Sequence, residues 1–511
     1  MNGAQAVIRT LVGGGVDVCF ANPGTSEMHF VAALDEVPEM RAVLTLFEGV
    51  ATGAADGYAR MAGGPAATLL HLGPGLGNGL ANLHNARRAR SPMVNVVGDH
   101  ALTHKRFDAP LESDIDALAG TVSGWVRRSL STGEVGADVA DAVTAAARGQ
   151  VATLVLPADV SWSDGAAVAA VPPARPASQV APEVVDGVAE VLGGSTVLFL
   201  GGDAVSEPGL RAAAQVAAGT GTRLLAETFP ARMARGAGVP DVLKLPYPPQ
   251  GARKQLEGVR HLVLVGTAEP VAFFGYPDMP GRLVPEDCVV HVLAAPGEDG
   301  VVALQALAEL TAPEAAPQLA EARRPDLPSG ALDTRAFAEV VGALLPERAI
   351  VVDEALTSGY FLPAATVGAP AHDWLTLTGG AIGQGLPTAT GAAVACPDRP
   401  VICLQADGSA MYTIQALWTQ AREQLDVTTV VCDNGAYAIL AGELEHVGAA
   451  GAGERAGRLL DLGSPSLDFV ALATGMGVSA TRATTAEELA QQFRAALAEP
   501  GPHLIDAVLA G

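Results

Sequence analysis

Short apolar runs alternate with helix-spaced apolar positions along nearly the whole chain, and turn residues separate them. VDVCFAN, AATLLHL, MVNVVGD and VATLVLP in the first third, and PVICLQ and DVTTVVCDN in the last, are apolar on successive positions rather than on every second one. A strand apolar on both faces is buried on both faces, as in a parallel sheet covered by helices. Stretches of helical spacing, such as Glu48 to Met61 and TIQALWTQAREQ, fill the intervals. This rhythm predicts α/β architecture on parallel sheets.

The rhythm breaks twice, at AAVPPARPASQVAPE and at APEAAPQLAEARRPDLPSG. Read as Pro-rich linkers, these segments divide the chain into residues 1–165, 185–312 and 333–511. No short-period repeat is present, which removes solenoid folds. A hydrophobic share of 49% against 17% charged residues fits well-buried domains and excludes a disordered chain. The net charge of -24, with Lys only at 105, 244 and 254, argues against nucleic acid or an anionic membrane as partner. Cys19, Cys288, Cys396, Cys403 and Cys432 lack CxxC spacing, so free thiols in a reducing compartment are expected. With no charged-then-apolar leader and no apolar run of about 18 residues, a cytoplasmic location off the membrane is expected.

The clearest chemistry lies in the last third. PVICLQ ends at Asp407-Gly408-Ser409, a helical stretch follows, and DVTTVVCDN ends at Asn434-Gly435. Such a βαβ unit sets Asp407 and Asn434 at the carboxyl ends of neighbouring strands, where open α/β sheets bind ligands. A carboxylate, an amide oxygen and a nearby carbonyl are hard donors suited to Mg2+, a metal that keeps phosphate oxygens among its ligands. Ser409 and the loop amides can meet those oxygens. DGS or DNG alone is an everyday turn sequence. The pair, each closing an apolar strand with one helix between, is far more specific.

ADGSAMYTIQALWTQAREQLDVTTVVCDNGAY resembles the thiamine-diphosphate (ThDP) motif of the acetohydroxyacid synthase and benzoylformate decarboxylase superfamily, with Ala406 for its first Gly and Asp433 for its first Asn. The resemblance implies three doubly wound parallel-sheet domains (pyrimidine-binding, central and diphosphate-binding), with ThDP and Mg2+ as cofactors. It implies Asp407, Asn434 and the Ala436 carbonyl as Mg2+ ligands, with Gly408, Ser409 and Tyr437 near the diphosphate, and DEALTSG adds Thr357. TLFEGVATGAADGYARM sets Glu48 on the family's Glu, which shares a proton with N1′ of the aminopyrimidine; Leu46 and Phe47 should shield it from water. TLTGGAIGQGLPTATGAA puts Ile382 where a large apolar residue holds the cofactor's V shape, and the Gly380 carbonyl where it accepts from the 4′-amino group. ANPGTSE sets Thr25 at an active-site Ser, and LLHLGPGLGN sets His71 at an active-site His. With Ile439 and Leu440, Thr25 and His71 are expected to line the substrate pocket.

The departures bear on the reaction. Pro110 and Leu111 stand where synthases carry Phe-Gln, and Phe107 and Asp108 where pyruvate decarboxylases carry His-His, with His100 and His104 close by. Gly275 stands where benzoylformate decarboxylases have a second catalytic His. The N-terminal stretches look most like acetolactate-synthase-like large-subunit homologues. FAD is not expected, because TVLFLGGDAVSEPG holds no recognisable binding loop.

The activity implied is decarboxylation or carboligation of a 2-oxo acid. The alternatives are a benzoylformate-type decarboxylase releasing an aldehyde, or a non-catalytic ThDP-binding partner of a true synthase. A dinucleotide oxidoreductase fits worse, since GPGLGNG has no downstream acid in a βαβ unit. Family members share each site between subunits, which implies a homodimer or homotetramer. Gly49, Ala51, Gly53, Ala54, Ala55 and Gly57 would let two helices approach closely, either between subunits or inside one domain.

Overall fold

The structure is a computed structural model that describes residues 1–449 and 453–510. The apolar runs are its strands. Val18–Asn22 (β1), Arg41–Leu44 (β2), Ala66–Leu70 (β3), Met93–Asp99 (β4), Trp125–Arg128 (β5) and Val151–Pro157 (β6) form one parallel sheet in the order β2-β1-β3-β4-β6-β5. Strands β3, β4 and β6 are buried at every position, which is why they read as unbroken apolar runs.

Thr196–Leu200 (β7), Arg223–Ala226 (β8), Met233–Arg235 (β9), His261–Val265 (β10) and Val289–Ala294 (β11) follow. Four of them make the central sheet, in the order β11-β10-β7-β8. Ile350–Glu354 (β12), His372–Thr376 (β13), Val401–Ala406 (β14), Val427–Asp433 (β15), Ser479–Ala483 (β16) and His503–Val508 (β17) form the last sheet, ordered β16-β17-β15-β14-β12-β13-β9. Strand order reverses between β1 and β3, between β7 and β10, and between β12 and β14. At each reversal the connections leave to opposite sides and open a crevice beyond the strands' carboxyl ends.

One strand departs from the pattern. Met233–Arg235 falls within the 185–312 stretch, yet it runs antiparallel along β13, pairing Arg235 with His372 and Met233 with Trp374. It is the only antiparallel pair of named strands among the described residues. A three-residue strand carries no readable period, and its place follows from a tertiary need, the covering of an open sheet edge.

The helix Glu48–Ala62 packs on the helix Gly385–Ala395, so the first and last sheets share one apolar core. Here the small residues find their use. A Cβ on Gly57 would collide with the Thr388 carbonyl, and one on Gly391 with the Ala54 carbonyl. The close approach expected of this helix is thus made within one chain, between its first and last units. A buried polar knot closes the same contact: Arg60 grips Asp56 at 2.6 Å and donates to the Thr376 carbonyl at 2.8 Å, while Gln384 donates to Asp56 at 2.6 Å.

Apart from Pro182 and Glu183, which open the helix Pro182–Ala189, both Pro-rich segments run without helix or named strand. The five cysteines are free, four of them buried. Among the described residues no helix is long and apolar enough to cross a membrane.

Candidate functional site

In the first sheet, the chain leaving β1 turns through Pro23-Gly24 into the short turn Thr25–Glu27, and the chain leaving β3 enters the helix Leu72–Ala89 with His71 as its N-cap. Both flank the reversal between β1 and β3. Glu27 Oε2 accepts from the Gly24 amide at 2.7 Å and lies 2.8 Å from His71 Nδ1. The pair is wedged between glycines: a Cβ on Gly24 would collide with the His71 ring, and one on Gly98 with the Glu27 carboxyl. Burial lifts the Glu27 carboxyl above the ordinary carboxylate range, against the opposing pull of His71. Among the described residues His71 Nε2 makes no hydrogen bond, and Thr25 next door is exposed.

Glu48 opens its helix directly after β2's loop and is 6% exposed. Its Oε2 accepts from Asn78 Nδ2 at 3.0 Å, and a Cβ on Gly75 would sit 3.1 Å from Oε1. The expected shield is therefore corrected. Leu46 is 48% exposed and the Phe47 ring lies over Gly49, so the carboxyl is covered chiefly by the 72–89 helix, whose glycines admit it.

In the last sheet, Thr357 follows β12, Asp407 follows β14 and Asn434 follows β15. Strands β14 and β15 pair in parallel through Ala406 and Cys432, which brings the two loops side by side. Asp407, 2% exposed, accepts from the Gly408 amide at 2.7 Å and from the Gly435 amide at 2.8 Å. Gly435 adopts φ +66°, a left-handed turn that folds its amide back onto Asp407. Asn434 Oδ1 caps the Ala436 amide at 3.0 Å, Ser409 Oγ donates to the Ala406 carbonyl at 3.1 Å, and the Tyr437 ring lies against Gly408. Burial, and then the charge of Asp433, push the Asp407 carboxyl up to about 6. A buried carboxyl beside an amide oxygen and a carbonyl oxygen is the donor chemistry of a site for a hard divalent cation. The residues present fit Mg2+.

Gly380 and Ile382 lie between β13 and the 385–395 helix. The Phe273 ring of the central unit stands over Gly380. Two side chains hold this segment that the sequence did not single out. Glu354, the last residue of β12, accepts from the Gly383 amide at 2.7 Å and the Gly385 amide at 2.5 Å. Asn85 pairs with the backbone of Ala381 from the opposite side. Further out, Tyr276 and Tyr247 hydroxyls donate to Glu443 at 3.3 and 3.4 Å, tying the segment that holds Gly275 to the helix Ala438–His446, which carries Ile439 and Leu440.

The expected residues therefore gather as two sets, each beyond the carboxyl ends of its own sheet's strands. Among the described residues, no hydrogen bond or ion pair joins Thr25, Glu48 or His71 to Thr357, Asp407, Ser409 or Asn434. Glu27 and Glu354 left faint signals, an acid inside a Gly turn and an acid ending a buried strand, IVVDE.

Residues 1–119 match the family description "Thiamine pyrophosphate enzyme, N-terminal TPP binding domain", and residues 360–507 match "Thiamine pyrophosphate enzyme, C-terminal TPP binding domain". A Mycobacterium tuberculosis protein provisionally named acetolactate synthase large subunit IlvX is 65% identical over 100% of this chain and 99% of its own length. Benzoylformate decarboxylase of Pseudomonas aeruginosa is 32% identical, with 96% of each chain covered. Among solved structures, the ThDP-dependent 4-hydroxybenzoylformate decarboxylase of Rhodococcus jostii superposes with a TM-score of 0.87 at 25% identity, covering 100% of this chain and 99% of that one.

Proposed function

Because the chain belongs to the thiamine pyrophosphate enzymes, of the acetolactate synthase and benzoylformate decarboxylase type, we propose that it decarboxylates a 2-oxo acid with ThDP and Mg2+ and passes the product to a proton or to a second carbonyl compound. One observation carries this reading: a buried acid, Asp407, stands with Asn434 at the carboxyl ends of two neighbouring strands of one sheet, and a buried carboxyl, Glu48, follows a strand of another.

When bound, ThDP supplies a nucleophilic carbon and an electron sink for the bond between a carbonyl carbon and its carboxylate. The chain's own part is to hold and to move protons. Asp407, Asn434 and the Ala436 carbonyl would hold Mg2+, while Gly408, Ser409, Tyr437 and Thr357 would border the diphosphate. Glu48 would hold a proton for the pyrimidine N1′; Asn78 engages Oε2, which leaves Oε1 for that exchange. The Gly380 carbonyl would accept from the cofactor's amino group, and Ile382 would pack against the cofactor. His71, its Nδ1 on Glu27, presents Nε2 to substrate oxygens, and Thr25 borders the same space. No FAD is called for. A homodimer or homotetramer, as the family resemblance implies, would complete each site across a subunit boundary. The free thiols fit a cytoplasmic enzyme.

Incubation with ThDP, Mg2+ and a panel of aliphatic and aromatic 2-oxo acids tests the reading. CO2 release with an aldehyde marks protonation, and an acyloin or acetohydroxy acid marks ligation. Absence of CO2 from every acid sinks it, and absence of activity together with co-purification of an active synthase replaces it with the non-catalytic partner.

A further inference from the structure

The segment that runs between β13 and the 385–395 helix is gripped from both sides, and the grips bracket one residue. Asn85 is fully buried; its Nδ2 donates to the Ala381 carbonyl at 2.7 Å and its Oδ1 accepts from the Ala381 amide at 3.2 Å. This double bond between a side-chain amide and a peptide copies a rung of a β ladder. Its orientation is set by a third bond, Nδ2 to Asn82 Oδ1 at 3.1 Å.

On the other side of Ile382, the two carboxylate oxygens of Glu354 take one amide each, Oε1 from Gly383 at 2.7 Å and Oε2 from Gly385 at 2.5 Å. Gln405 donates to the same Oε2 at 3.0 Å and bonds onward to Ser409. Both amide donors come from glycines that admit no side chain. Gly383 has φ +94° and a Cβ there would stand 2.5 Å from Tyr412 Cβ, while one on Gly385 would collide with Gln405.

The same helix face that carries Asn85 carries Asn82 and Asn78, spaced three and four residues apart. Asn82 donates to the Gly49 carbonyl at 2.8 Å and the Gly383 carbonyl at 3.3 Å, and Asn78 donates to Glu48. One row of amides therefore sets the register between the carboxyl of the first unit and the bracketed segment of the last.

We propose that Asn85 and Glu354 are positioning residues that clamp the backbone on either side of Ile382 and thereby fix where that side chain stands against a bound cofactor. The positioning role rests on the ThDP reading above; the clamp itself does not. A carboxylate is needed at 354 because two N–H groups must be met by two acceptors, and an amide offers one.

The test uses Glu354→Gln, Asn85→Leu and Ile382→Ala, with Glu354→Asp in reserve should the Gln variant fail to fold. In the cofactor-free protein, amide hydrogen exchange over residues 379–386 is read by mass spectrometry. Exchange should rise about tenfold or more at 383–385 in Glu354→Gln and at 381 in Asn85→Leu, which removes the acceptor for the Ala381 amide. Exchange unchanged in both overturns the clamp, whatever the protein binds.

With ThDP and Mg2+ added, calorimetric Kd should stay within about threefold, while hydrogen exchange at the cofactor's C2 slows about tenfold in each variant. Ile382→Ala should add almost nothing on top of Glu354→Gln, because both act through one side chain. Additive losses, or a slowing that follows Kd alone, overturn the positioning role. A wild-type protein that binds no ThDP ends the functional reading and the positioning role together, and the exchange result then judges the clamp by itself.

Discussion

The two residue sets are built alike at the level of the sheet and unlike at the level of the bond. Both stand at the carboxyl ends of their strands. Around the first sheet, each acidic group meets a rotatable side chain, Glu48 the Asn78 amide and Glu27 the His71 ring, and Glu27 adds one backbone partner, the Gly24 amide. Around the last sheet, each acidic group is tied to the main chain, Asp407 to two loop amides and Glu354 to two segment amides. A side-chain partner can turn or exchange a proton without disturbing the fold, whereas a backbone partner cannot. The first set can shift its partners, and the second holds its acids in one place.

Four substitutions break or sharpen that contrast. Glu48→Gln should cost most, lowering kcat about 10²- to 10⁴-fold while ThDP Kd, measured by calorimetry, stays within about threefold. Asp407→Ala should show the opposite split, with Mg2+-dependent ThDP affinity falling about 30-fold; an affinity as in the wild type would remove Asp407 from the metal site. His71→Ala should lower kcat/KM about tenfold, unequally across 2-oxo acids and without a change in cofactor affinity.

Glu27→Gln is the mildest and carries the pH dependence. The folded Glu27 carboxyl sits above its ordinary range because it is buried, so ionising it costs more in the folded than in the unfolded chain. The wild type therefore loses stability as pH rises through that folded value, and Gln does not. The difference in Tm between variant and wild type should be least near pH 4 and should move in favour of Gln toward pH 8; a constant difference contradicts the burial argument.

Strand runs such as MVNVVGD and VATLVLP were legible because full burial leaves no alternation to confuse. Asp407 and Asn434 were legible because each closes such a run, so their nearness needed only the parallel pairing of β14 with β15. Glu27 was hidden because its partner, His71, lies beyond another strand, β3, and no spacing within NPGTSE announces it. Glu354 stood inside DEALTSG, where Thr357 drew attention as a hydroxyl; the acid's worth lies in backbone amides some thirty residues on, at Gly383 and Gly385. TIQALWTQAREQ reads as one helix, yet only Ala416–Glu423 forms one, since Ser409, Thr413 and their neighbours serve the loop instead. The small-residue helix announced close packing but not its partner, because glycine specifies distance and carries no address.

The excursion of Met233–Arg235 into the neighbouring sheet has a consequence for anyone rearranging the chain. Cutting at the two Pro-rich borders looks like excising a cassette, but the excised piece would carry off the selvedge of the last sheet and leave the backbone of His372 to Trp374 bare along one side. Grafts between relatives should therefore move the middle and final thirds together, or exchange the Met233–Arg235 ribbon along with the sheet it finishes.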